Sequence, residues 1–218
     1  MQMMNVPGDR FHSALRSLRN AAGWLAIVGF ATVTPLARAQ TKSPAPAPKP
    51  APAQWQEMRA QWRSIGRKLV AMAEDFPEDK YDFKAQKDQR TFAENLLHVA
   101  GDDYRFLSAV KGENMAPQLP ARGDPQRSQF KTKADVVNLM KQVVADGDAL
   151  LQAQGDAGLQ RQVKYPYAAN QLVHAWFCWS NAIEHSGEHY GQLVVYYRVN
   201  GMVPPASRPR PKQPAAKS

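Results

Sequence analysis

The chain has one cysteine, Cys178, among its 218 residues. A lone cysteine excludes an intramolecular disulfide framework and a cysteine-based zinc finger. No run of about 18 apolar residues occurs, so a full membrane span is not expected. No internal repeat of roughly 20 to 50 residues and no sustained period-2 alternation can be read, which removes solenoids and half-buried sheets. Acid is missing from the far end as well, since residues 190–218 contain no Asp or Glu.

Base is in excess, 28 Lys+Arg against 19 Asp+Glu, for a net charge of +9. The excess is confined to the ends. Residues 54–203 hold 18 bases and 18 acids. A neutral middle segment excludes nucleic acid as a partner, because phosphate binding needs a basic face on the folded part.

The N-terminus reads as an export signal. Arg10, Arg16 and Arg19 precede an apolar run of 13 residues, Ala21 to Val33, and Ala37-Arg38-Ala39 offers a cleavage site before Gln40. Residues 1–39 are therefore expected to be removed. The mature protein would be periplasmic or extracellular, with no stable membrane span after cleavage. Ser43 to Ala53 reads SPAPAPKPAPA, and its alternating prolines predict an extended spacer over 40–53. Residues 204–218 are again Pro-rich and basic, and predict a disordered tail.

The intervening 54–203 predicts an all-α four-helix bundle. Trp55, Met58, Trp62, Ile65, Leu69, Met72 and Phe76 recur at alternating spacings of three and four, a continuous seam on one helix from Gln54 to Asp75. Thr91 and Glu94 form a capping box for a second helix reaching about Val110. A third is expected from about Lys133 to Leu151. A fourth is expected from about Ala168 to Asn200, ended by Gly201 and Pro204-Pro205. Four amphipathic helices bury their apolar faces most simply against one another.

The fourth helix carries a polar stripe where a core face should be. At about 100° per residue, His174, Cys178, Asn181, His185, His189 and Gln192 fall within about 40° of one direction. His185 and His189 are one turn apart, a spacing that lets two imidazoles reach one divalent ion. On the second helix His98 stands in an apolar run, with Asp102 one turn on. Three inward histidines could share an ion, or could simply hydrogen-bond one another. His174 is about 16 Å from His185 along the axis and is set apart, as is Cys178 as an apolar-like core residue. Glu188, beside His189, is a candidate general base. Asn181, Gln192 and Asp102 are candidates to orient the ligands from behind. The segment His185-Ser-Gly-Glu-His189 also matches the H-x-x-E-H pattern of a zinc peptidase, but that pattern needs a downstream acidic ligand and none exists.

Two segments resemble the DinB family, also described as DinB/YfiT-like metalloenzymes. Glu74 to Ala100, EDFPEDKYDFKAQKDQRTFAENLLHVA, is similar to the family's N-terminal signature. His185-Ser-Gly-Glu-His189-Tyr-Gly-Gln192, with Tyr197-Arg198 and Gly201-Met-Val-Pro-Pro205 after it, is similar to its second. The resemblance covers about residues 55–206. It implies a bundle with a divalent metal, zinc or nickel, held by His98, His185 and His189. It implies a transferase or hydrolase acting on a small molecule, and is compatible with a homodimer. Some relatives use low-molecular-weight thiols, which are scarce outside the cytosol. A non-catalytic bundle that binds metal or a partner is the alternative.

Overall fold

The computed structural model describes residues 50–168 and 170–209. The segment read as an export signal, most of the segment read as a spacer, and residues 210–218 lie outside the described residues. Among the described residues four α-helices make up the fold: α1 Gln54–Asp75, α2 Phe92–Lys111, α3 Lys133–Gln160 and α4 Ala175–Val199. The helical bundle read from the periodicity is the one observed. α1 packs most extensively on α3, and α2 on α4. The seam of α1 supplies Trp62, Ile65, Leu69 and Met72 to the core, while Trp55 and Met58 are only partly buried at its start. α2 is buried around most of its circumference, from Phe92 to Val110, as expected of a helix enclosed by its neighbours.

Its ends are built locally. The Thr91 hydroxyl accepts from the Glu94 N–H at 3.1 Å, and the Glu94 carboxylate accepts from the Thr91 N–H at 2.7 Å. Two donors that no helical carbonyl can reach are thereby satisfied. At one end of the bundle Phe76 stacks on Phe92 at 3.9 Å, and Tyr81 and Tyr197 both meet the Phe92 ring edge-on.

Three boundaries differ from the sequence reading. α3 continues beyond Leu151 to Gln160, broken at Gly155, whose φ of 58° only glycine adopts readily. α4 begins at Ala175, not Ala168. The preceding residues form a two-stranded antiparallel hairpin, β1 Gln162–Lys164 and β2 Leu172–His174, with Val163 opposite Val173. Strands of three residues are too short to leave an alternation in the sequence. The third difference concerns residues 204–209, read as the start of a disordered tail. Pro205–Ser207 is a 3-10 turn, and the Arg208 guanidinium donates to Asp75 at 2.8 Å, which fastens this segment to the end of α1.

Close approach of α1 and α3 depends on a glycine. Trp62 lies 1% exposed, donates to the Val144 carbonyl at 2.9 Å, and meets Trp179 edge-on at 5.4 Å. A Cβ on Gly147 would come 2.5 Å from the Trp62 ring. Gly147→Ala should therefore destabilise the fold by about 1–3 kcal/mol through overpacking. The measurement is a urea midpoint at unchanged slope. An unshifted midpoint would mean that the two helices separate without cost.

Candidate metal centre

The site lies between α2 and α4, the pair whose packing faces His98 toward His185 and His189. The ring centroids are 4.9 Å apart for His98 and His185, 4.6 Å for His98 and His189, and 4.5 Å for His185 and His189. One nitrogen from each ring lies within 4.8 Å of the others. His189 is buried and the other two are mostly so. His174, by contrast, is the exposed N-cap of α4 and takes no part. Cys178 is fully buried, and burial pushes its thiol up to about 11, so it is an inert core residue.

Two of the three tautomers follow from the hydrogen bonds behind the rings. The Asp124 carboxylate accepts from His98 Nδ1 at 2.7 Å. Burial raises the Asp124 carboxyl, but the hydrogen bond and charge of His98, helped by Arg90, outweigh it and hold the group below its ordinary value. Asp124 is therefore ionised and accepts the proton on His98 Nδ1, so that in the neutral ring Nε2 is the nitrogen left with a lone pair. On the other side, the Tyr196 hydroxyl donates to the Arg90 carbonyl. Its oxygen thus accepts from the Asn95 amide at 3.1 Å, and the Asn95 carbonyl is left to accept from His189 Nδ1 at 3.1 Å. His189 Nε2 is bare as well.

The bare nitrogens face inward, where His185 Nε2 lies 3.1 Å from His98 Nε2. With His185 Nε2 protonated, one proton is shared among the facing nitrogens. Asp102 adds an oxygen: its Oδ2 is 3.2 Å from His185 Nε2 and 3.5 Å from His98 Nε2. These acceptors are held together either by that shared proton or by a cation lying between them. His185 Nδ1 is buried with no partner among the described residues. This donor set of imidazoles and one carboxylate fits a divalent transition ion.

The expected supporting residues divide. Gln192 is exposed but near enough to His189 to oppose the effect of burial on its ring. Asn181 does not touch the histidines: it accepts from the Tyr165 hydroxyl at 3.1 Å and donates to the Phe177 carbonyl. Its place on the helix stripe is right, but the hairpin intercepts its side chain. Asp102 lies beside the inward-facing histidine nitrogens rather than behind the rings. Asn95 and Asp124 hold the rings from behind, and neither had been assigned that role. Asn95, three residues before His98 on the same face, was open to that inference. Asp124 belongs to the long α2–α3 connection, and no periodicity links it to His98. Pro125 seats it, packed where a Cβ on Gly101 would come within 2.8 Å.

A cleft of about 400 Å³ opens beside the cluster. His185 and Asp102 line it, with Phe106, Tyr165 and Tyr167 as an aromatic wall and Glu184 and Glu188 on the α4 side. The wall is continuous, with Tyr167 5.4 Å from Phe106 and 5.9 Å from Tyr165. Glu188 is exposed. Below the cleft, Asp103 is 2% exposed and its carboxyl is raised well above its ordinary value by burial, with a Ser186 hydroxyl hydrogen bond opposing. A larger cleft, about 700 Å³, lies against Tyr104, Arg105, Ser108 and Arg161 and includes none of the histidines.

Burial, with repulsion from the neighbouring rings, lowers His185 and His189 to about 4. Unfolded imidazoles titrate near 6.5, so between the two values the unfolded chain binds more protons than the folded one. The resulting penalty is absent above 6.5 and grows as pH falls toward about 4. Metal-free protein should lose up to a few kcal/mol between about pH 7 and pH 5. Urea midpoints in chelator would read it, and a flat profile would show that these rings are not desolvated.

Four helices with an inward histidine cluster between α2 and α4 define an all-α bundle with a candidate tris-histidine metal centre. A model of the DinB superfamily matches residues 61–193, more than half of the sequence, and the chain belongs to that superfamily. Over 130 residues it is 25% identical to the uncharacterized protein YjoA of Bacillus subtilis strain 168, covering 60% of this chain and 80% of that one. The crystal structure of a DinB-like protein, YjoA of Bacillus subtilis, matches with a TM-score of 0.54 at 21% identity, over 67% of this chain and 93% of that one. A DinB-like protein from Bacillus cereus ATCC 10987 matches with a TM-score of 0.56 at 14% identity, over 69% and 95%. At these identities the structural likeness is one of fold.

Proposed function

We propose that this chain is an exported metalloenzyme. His98, His185 and His189 hold a divalent ion, zinc or nickel, and the adjoining cleft receives a small-molecule substrate. The observation that carries this reading is the convergence of three imidazoles, two of them held from behind at Nδ1, and a carboxylate oxygen inside a folded core. When bound, such an ion supplies Lewis acidity and makes a bound water or thiol easier to deprotonate. Asp124 and Asn95 fix the rings of His98 and His189, so no ring must turn during the reaction. Phe106, Tyr165 and Tyr167 shield one side of the cleft from water. Glu188, on the α4 side, is placed to take a proton from a group bound in the cleft. Hydrolysis fits an exported protein better than thiol transfer, because the thiol cofactors of the cytosol are scarce outside it.

A second reading, a bundle that holds an ion without turnover, is favoured by the position of Asp102, since a closed set of four protein ligands is the pattern of a structural site. One purification separates the two. Mature protein from the extracytoplasmic fraction should begin near Gln40 and contain about one equivalent of zinc or nickel. Turnover of an ester or thiol substrate should disappear on chelation. Glu188→Gln should keep the metal and lower turnover by about a hundredfold or more. Stoichiometric metal with no turnover supports the second reading. A metal-free preparation that does not take up zinc would remove both.

A further inference from the structure

The distances around Asp102 carry more than an outer supporting role. Two ligand atoms, each about 2.0–2.1 Å from a tetrahedral zinc ion, lie roughly 3.3 Å apart. The separation of His98 Nε2 from His185 Nε2 is 3.1 Å. Asp102 Oδ2 stands 3.2 Å from His185 Nε2 and 3.5 Å from His98 Nε2. The carboxylate oxygen thus stands at ligand-like separations from two of the three histidine nitrogens. Outer-sphere partners approach the opposite ring nitrogen, as Asp124 does on His98 Nδ1 and Asn95 on His189 Nδ1.

We infer that Asp102 is a fourth protein ligand, so that the centre is three imidazoles and one carboxylate. This rests on the three histidines being ligands. Asp102 lies one turn after His98, which brings both side chains to the same face of α2. Its other oxygen, Oδ1, is paired with Arg105, whose guanidinium also donates to the Gly123 carbonyl. The Arg105 contact leaves Oδ2 to face the histidines, and the side chain is only 10% exposed. An anionic ligand cancels part of the charge of a divalent ion. It shifts preference toward ions that accept mixed nitrogen and oxygen donors, and against monovalent copper. Asp102 and His185 both line the cleft, so a substrate entering it would reach the ion as a fifth ligand beside the carboxylate.

The test uses full-length mature protein loaded with zinc and, separately, with cobalt(II), whose visible absorption reports coordination number and donor type. Asp102→Ala removes the oxygen. Asp102→Asn keeps a partner for Arg105 and guards against simple misfolding. Both variants should lower zinc affinity, measured against a competing chelator, by about 10- to 100-fold or more, the effect of an outer-sphere loss being the lower bound. Both should change the cobalt spectrum in band position and intensity. Weaker zinc binding with an unaltered cobalt spectrum would overturn the inference and make Asp102 an outer-sphere group. Unchanged affinity in both variants would overturn it as well. His185→Ala is the separate control, because retained zinc in that variant overturns the metal reading itself rather than the role of Asp102.

Discussion

Replacing His98, His185 or His189 singly by Ala should remove most of the bound zinc, to a similar extent in each case. Their nitrogens lie within 4.8 Å of one another although they come from two helices. Loss of any one leaves an incomplete ligand set, and the remaining donors must bind the ion with the geometry of the missing one unfilled. His174→Ala should leave occupancy unchanged, since His174 is an exposed N-cap about 16 Å along the axis from His185. Elemental analysis after dialysis at constant pH reads the result, because protons compete with metal for imidazole. The informative comparison is His98→Ala against His185→Ala. Near-full occupancy in the first with emptying in the second would place the ion on α4 alone.

Asp124→Ala and Asn95→Ala should each weaken zinc binding by about 10- to 100-fold while leaving the three ligands in place. Asp124 holds the Nδ1 proton of His98, and without it the ring is free to turn or to present the wrong tautomer. Asn95 does the same for His189. The two losses differ in a second property. Asn95 is buried and bonded to Thr91 and Tyr196, so its truncation should also lower stability. Asp124 is a third exposed in a loop, and its truncation should cost little stability. Chelator competition and urea midpoints on the same variants would show the contrast. Equal zinc affinity in wild type and Asp124→Ala would mean that the ring of His98 is held by packing alone.

The bundle was legible because each helix writes its buried face into the chain at a fixed period. The seam from Trp55 to Phe76 and the box at Thr91 and Glu94 fix α1 and the start of α2 without knowledge of any neighbour. The hairpin was not legible. Its strands have three residues each, and Tyr165 and Tyr167, in the connection between them, line the cleft. The gap between the two readings is physical: a period of several turns is a strong signal, and a three-residue pairing is none.

The same division runs through the site. The chain alone determined that His185 and His189 share one face of α4, and that His98 and Asp102 share one face of α2, because spacings of four residues on a helix bring side chains together whatever surrounds them. Only the packing of α2 on α4 decided that the two faces meet. Only the fold of the 112–132 connection over Gly101 decided that Asp124 reaches His98 Nδ1 from 26 residues away. Local periodicity fixes which way a side chain leaves its helix. Which nitrogen faces inward depends on hydrogen-bond partners contributed by other elements, and those exist only once the core has closed.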